Sequence, residues 1–248
     1  MFLTLFLQVM SEERSQHDLV HEIISKVANH DTRKIHSNST HDPDFNSASV
    51  LIPLAIKNGE IHILLTKRSK SLRRDPGTVS FPGGKKDETD ESEVQTALRE
   101  AEEEIGLPPK NVEVVGILHR GITPPNTIVY PVVGMIPSDF VPVPNPDEVE
   151  FAFFMPLKDF VDDAKVKQGH FEAGGRKFVT RSLLHENGEK VIGFTAGYCV
   201  MLAKILFEEE FHFPVFHESE NDDAAHDSEA YLNIVKKAFR ERRAKSKL

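Results

Sequence analysis

The run Arg99-Glu100-Ala101-Glu102-Glu103-Glu104-Ile105-Gly106-Leu107 is where this chain gathers groups able to do chemistry. On a helix advancing about 100° per residue, Glu100, Glu103 and Glu104 fall at i, i+3 and i+4 and share one face, while Glu102 points elsewhere. Three like charges so close repel unless a cation sits among them. Carboxylate oxygens are hard donors that suit Mg²⁺ or Mn²⁺, ions that keep several waters for a phosphate to replace. Taken alone, an acidic helix face is more often simply solvated. The residues before it change the balance, because Phe81-Pro82-Gly83-Gly84 is a loop whose backbone can approach a ligand closely. Further upstream, Lys67, Arg68, Arg73 and Arg74 form a local cationic cluster, and guanidinium groups grip phosphate oxygens with two prongs. The plainer reading of that cluster is a solubilising loop after a strand.

These groups need a scaffold. The spacing of Val94, Ala97, Leu98, Ala101 and Ile105 predicts an amphipathic helix from about Ser92 to Ile105, with Gly106 as its cap and Pro108 and Pro109 beyond. Val50–Ile56 and Ile61–Thr66 are β-prone runs around Lys57-Asn58-Gly59-Glu60, a strong hairpin signal. Further strands are expected at Val112–Leu118, Thr127–Met135 and Val149–Phe154, a second hairpin at Leu183–Ile192, and a second helix from about Thr195 to Glu209. Strands interleaved with two helices imply an α/β fold, a mixed sheet covered on both faces.

The flanks differ in composition. A helix is expected over Glu12 to Asn29, followed by a polar linker from His30 to Ser49. After Phe216 the chain turns acidic through Ser228, and Glu229 to Arg243 has the pattern of an amphipathic helix that docks on its own domain. The division expected is 1–46 as a helical and flexible extension, 47–215 as the catalytic domain, and 216–248 as linker, helix and tail.

Among 248 residues the net charge of −9 argues against general nucleic-acid binding, which needs a basic face. The single cysteine, Cys199, rules out a disulfide framework within the chain and fits a reducing compartment. The 12 histidines are scattered without zinc-ligand spacing and read as surface residues. The apolar stretch from Met1 to Met10 is too short to span a membrane and lacks the features of a secretory signal.

The segment from Gly84 to Leu107 resembles the Nudix box, whose last part reads Arg-Glu-apolar-x-Glu-Glu-x-Gly-apolar and is matched by Arg99 through Leu107. Counting back from Arg99 puts the box glutamate at Glu91 and its glycine at Lys85, one residue past Gly84. This departure reads as a one-residue insertion between Gly84 and Glu91, with Asp90 a rival for the glutamate position. Directly upstream, Leu64 to Gly84 resembles the LLTxRSxxxRxxxGxVSFPGG motif of the coenzyme A diphosphatase branch, with every specified position filled. The likeness continues more weakly through Val149-Glu150 and Gly193-Phe194-Thr195-Ala196.

The resemblance implies a Nudix-type α/β/α sandwich and Mg²⁺- or Mn²⁺-dependent hydrolysis of the diphosphate bond of coenzyme A or a derivative. Glu100, Glu103 and Glu104 would hold the metal, with Arg99 pairing with Glu91 or another carboxylate. Arg68, Arg73, Gly83 and Gly84 would meet the substrate. The general base is open, with Asp147, Glu148 and Glu150 as candidates against a reading as ordinary exposed acids. Ser246-Lys247-Leu248 is the tripeptide read by the peroxisomal import receptor and implies a peroxisomal address. Competing expectations are a diphosphatase for NADH, nucleotide sugars or ADP-ribose, and a non-catalytic coenzyme A sensor.

Overall fold

A computed structural model describes residues 16–33, 42–173 and 176–207 and, near the C-terminus, Asn233, Lys236, Lys237, Arg240, Glu241 and Ala244. The apolar stretch 1–10, the acidic run 216–228, most of the expected helix over 229–243 and the tripeptide Ser246-Lys247-Leu248 lie outside the described residues.

One hairpin organises the fold. Strands β1 (Asn46–Lys57) and β2 (Glu60–Arg68) are joined where predicted, with Asn58 at φ 54° and Gly59 at φ 77°. That pair of positive φ values is what a tight hairpin turn with the right strand twist demands. The hairpin pairs only from Leu54↔Ile63 to Lys57↔Glu60. Beyond that its arms part, and two short strands fill the fork: β3 (Val79–Ser80) on β2 at Thr66 and Lys67, and β4 (Gly83–Lys85) on β1 at Ala48 to Val50. The Phe81–Gly84 loop is therefore carried inside the fork. Helix α2 (Glu93–Ile105) follows, then β5 (Glu113–Ile117), β6 (Gly121–Thr123), β7 (Thr127–Met135) and β8 (Val149–Pro156). Strand β7 runs parallel to β1 through nine paired positions while the other pairings of this eight-stranded sheet are antiparallel, so the sheet is mixed.

Both faces of the sheet are covered. Along β1, Ile52, Leu54 and Ile56 join one core cluster and Leu51 and Ala55 the other, as strand alternation requires. Helix α2 packs Ala97, Ala101 and Ile105 on the second face. The first face receives α3 (Gly193–Phe207) and α1, a helix over 16–28 that buries Ile23 and Val27. Among the described residues no helix is long and apolar enough to cross a membrane.

The structure corrects one expectation and extends another. Asn46 to Ser49, read as linker, belong to β1, because pairing with β7 and β4 buries Ala48 and Ser49 despite their composition. The hairpin expected at Leu183–Ile192 is the end of a separate three-stranded antiparallel sheet of β9 (Lys167–Ala173), β10 (Arg176–Leu184) and β11 (Lys190–Ile192).

Candidate active site

Helix α2 is defined at both ends by its own residues. The Ser92 Oγ accepts from the Gln95 N–H at 3.1 Å, the bond of an N-cap. At the other end Gly106, at φ 67°, turns the chain left-handed and returns its N–H to the Glu102 carbonyl. With the apolar stripe fixed on the sheet, the offset face with Glu100 and Glu104 looks toward the Gly83-Gly84 loop.

That approach is close. The Gly83 N–H donates to Glu104 Oε2 at 3.1 Å. A Cβ on Gly84 would stand 2.5 Å from the Glu100 carboxylate, and one on Gly83 would stand 2.6 Å from Val50 Cα, so neither position admits a side chain without rearrangement. Glu104 is only 5% exposed. Burial pushes its carboxyl up to about 8, aided by the charges of Glu100 and Glu148 and opposed by the Gly83 N–H and Arg68. Burial also raises Glu100, against the pull of Arg99. Glu103 is exposed.

Arg99 ties the carboxylates to the loop. Its Nε and Nη2 donate to the two oxygens of Asp90 at 3.1 and 2.9 Å, and Nη2 also reaches the Lys85 carbonyl at 3.1 Å. Its Nη1 is shared between Glu100 at 3.0 Å and Glu103 at 3.1 Å. The bidentate bond from Arg99 is the largest influence on Asp90, whose carboxyl lies far below the usual range, and Asp90 in turn raises Arg99. Thr96 Oγ1 donates to the same buried carboxylate at 2.9 Å.

The partner of Arg99 is thus Asp90. Glu91 is exposed and gives its N–H to Gln95. Counted forward from Gly84, Asp90 occupies the glutamate position of the box, so the extra residue lies between Asp90 and Arg99, where the chain enters the helix, and not before Glu91. The charge is what Arg99 needs, and the shorter aspartate supplies it.

Glu100, Glu104 and Glu148 line one cavity of about 560 Å³ together with Arg68, Arg74 and Lys85. Arg68 Nε is buried without a hydrogen-bond partner, and its Nη2 makes only a long contact, 3.4 Å, to the Arg74 carbonyl. Arg73 is exposed and stands outside the cavity wall, whereas Arg74 lines it and donates to the Pro124 carbonyl. Lys67 is committed to an ion pair with Glu189. Of the three later acids only Glu148 lines the cavity. Its carbonyl accepts from the Ser69 N–H at 2.8 Å, a link between loops that no local sequence pattern announces.

The donor set fits a hard divalent cation. One carboxylate is buried and a second largely so, both with their charged forms disfavoured, a third acid adds to that field, and the glycine loop leaves no side chain between them. Among the described residues no three acidic or histidine side chains already meet in a finished cage; Glu100 and Glu103 turn to Arg99, Glu104 to Gly83.

Comparison with known proteins adds context. The NUDIX domain pattern matches residues 46–174. The chain is 38% identical over 175 residues to the peroxisomal coenzyme A diphosphatase NUDT7 of Mus musculus, covering 68% of this chain and 74% of that one. It is 39% identical over 176 residues to Nudix hydrolase 15, mitochondrial, of Arabidopsis thaliana, covering 67% of this chain and 62% of that one. A Nudix hydrolase structure from Alicyclobacillus acidocaldarius aligns over 64% of this chain and 91% of its own at TM-score 0.42 and 19% identity.

Proposed function

The chain belongs to the Nudix family and is a diphosphatase of that family, and from that premise we propose that it cleaves coenzyme A or its derivatives with Mg²⁺ or Mn²⁺. The products are adenosine 3′,5′-bisphosphate and 4′-phosphopantetheine, acylated where the substrate is. One observation carries this reading. The complete motif from Leu64 to Gly84 delivers Arg68, with an unanswered Nε, to the same cavity as Glu100 and Glu104. The mouse relative is named for the same activity.

Residue roles follow from placement. Glu100, Glu103 and Glu104 hold the cation, which when bound neutralises phosphate charge and acidifies a water. Holding it requires Glu103 and Glu100 to share or leave Arg99. Arg99 keeps the helix in register with the loop through Asp90. Gly83 and Gly84 let the diphosphate approach the carboxylates. Arg68 takes phosphate oxygens inside the cavity, with Arg74 at its wall and Arg73 at the exposed approach. Water adds to one phosphorus, the bridging P–O bond breaks, and Glu148 takes the water's proton. Residues 47–215 form the catalytic unit, with α1 docked against it.

The address proposed is the peroxisome, the compartment in the mouse relative's name; the Arabidopsis relative's name gives another. A fluorescent fusion lacking Leu248 should leave that organelle if Ser246-Lys247-Leu248 is the signal.

The activity is tested with purified protein, Mg²⁺ and a panel of coenzyme A, NADH and ADP-ribose, products resolved by chromatography. Coenzyme A should be cut preferentially and chelation should stop it. Preference for NADH or ADP-ribose would overturn the substrate, and coenzyme A binding without metal-dependent products would make the protein a sensor.

A further inference from the structure

On the reading that the substrate is coenzyme A or a thioester of it, the charged part of the cavity accounts for the diphosphate and leaves the far end of the substrate unplaced. One apolar part of the cavity wall lies at the end of β11. Ile192 lines it while 45% exposed, and Phe194 follows, its ring 4.4 Å from that of Tyr198. In the β10–β11 hairpin Ser182 opposes Ile192, Leu183 opposes Val191 and Leu184 opposes Lys190. Opposed residues share a face and alternate residues repeat it, so Leu184, Lys190 and Ile192 stand together. Leu183 and Val191, buried at 2% and 0%, use the other face in the core. Leu184 is 67% exposed.

A single exposed leucine needs no explanation. Here two large aliphatic side chains lie on one face of one hairpin, and the nearer of them is already part of the cavity wall. The Lys67–Glu189 ion pair ties the hairpin turn to β2, the strand whose next residue is Arg68, so this face is held in a set relation to the phosphate-gripping residues. We infer that the outer face of the β10–β11 hairpin is a track for the acyl chain of a coenzyme A thioester. Ile192 lies at its cavity end and Leu184 toward the turn, with Lys190 at its flank. A short acyl group reaches only Ile192. A long one also covers Leu184, so the hairpin makes the enzyme selective for chain length.

The test compares kcat/KM of the full chain with Mg²⁺ on coenzyme A, its butanoyl thioester and its dodecanoyl thioester, for the native protein, Leu184→Ser and Leu184→Met. In Leu184→Ser the dodecanoyl-to-coenzyme A ratio should fall about tenfold, the worth of one lost leucine contact. The butanoyl ratio should hold, and Leu184→Met should keep the native profile. Because Leu184 is exposed, thermal melts of these variants should match the native protein. An Ile192→Ser variant should lower both thioester ratios. Unchanged chain-length profiles in both serine variants would overturn the track. So would light scattering that shows a native dimer converted to monomer by Leu184→Ser, since the face would then belong to a second copy. A native protein that cleaves no coenzyme A species would sink the substrate reading itself, and the track with it.

Discussion

Helices α2 and α3 cover opposite faces of one sheet and are built on opposite principles. In α3 every residue from Thr195 to Leu206 except Lys204 is buried, and nearly all are apolar. Such a helix is core on all sides and contributes stability. Helix α2 buries Ala97, Ala101 and Ile105 on one stripe but also sinks Glu104 and most of Glu100 below the surface. Burying carboxylates costs free energy unless hydrogen bonds or a cation offset it. Helix α3 therefore serves the core alone, whereas α2 uses its apolar stripe to anchor electrostatically unfavourable groups against the sheet.

That contrast can be broken at either helix. The largest effect is expected from Glu104→Gln, nearly the same shape, which should lower kcat about a thousandfold, or ~4 kcal/mol of barrier, while circular dichroism and gel filtration stay native. Leu202→Ala in α3, where the side chain is fully buried, should do the reverse. It should cost about 2–5 kcal/mol in denaturant melts yet leave kcat per folded molecule near native. Loss of activity in the second variant at low temperature would erase the distinction between the two faces.

A smaller effect is expected behind the carboxylates. Asp90→Asn keeps the size of the residue but removes the charge that holds Arg99. A Mg²⁺ titration of the rate should show affinity weakened roughly 10–100-fold, with maximal rate less affected. A further effect concerns pH. The carboxyl of Glu104 is raised from 4.5 to about 8 in the folded protein. Its contribution to the stability of the metal-free protein is therefore fully present below about pH 4.5 and lost as pH rises through about 8. With chelator present, the melting temperature of the native protein should fall relative to Glu104→Gln across that interval. Saturating Mg²⁺ should reverse their order. Parallel pH curves would mean that burial does not set the protonation of this group.

What could be read beforehand was what neighbouring residues decide. Ser92, Gly106 and the stripe between them bound α2 by local hydrogen bonding and burial, and Asn58-Gly59 makes its turn by conformational preference alone. The convergence of Glu100 and Glu104 on the glycine loop follows from helical spacing plus the fork in the sheet, and only the spacing was legible. Asp90 against Glu91, and Arg74 against Arg73, differ by one position in segments without periodicity, so which side chain faces inward is settled by tertiary contacts such as Thr96 on Asp90 and Arg74 on Pro124. Glu148 reaches the cavity because its loop is bound to Ser69 across the fold. Strand β9, Lys-Gln-Gly-His-Phe-Glu-Ala, has no apolar alternation and exists through pairing with β10.

The parallel pairing of β1 with β7 has a consequence for how the protein is made. It matches Ala48 with Val129, residues on the order of eighty positions apart, and contacts that distant form late and slowly. A ribosome that has released everything through Leu107 has delivered Arg68, both loop glycines and all three clustered glutamates, yet β1 still has an open edge. A nascent chain stalled there should be protease-sensitive and inert, and both properties should change once residues through Met135 emerge.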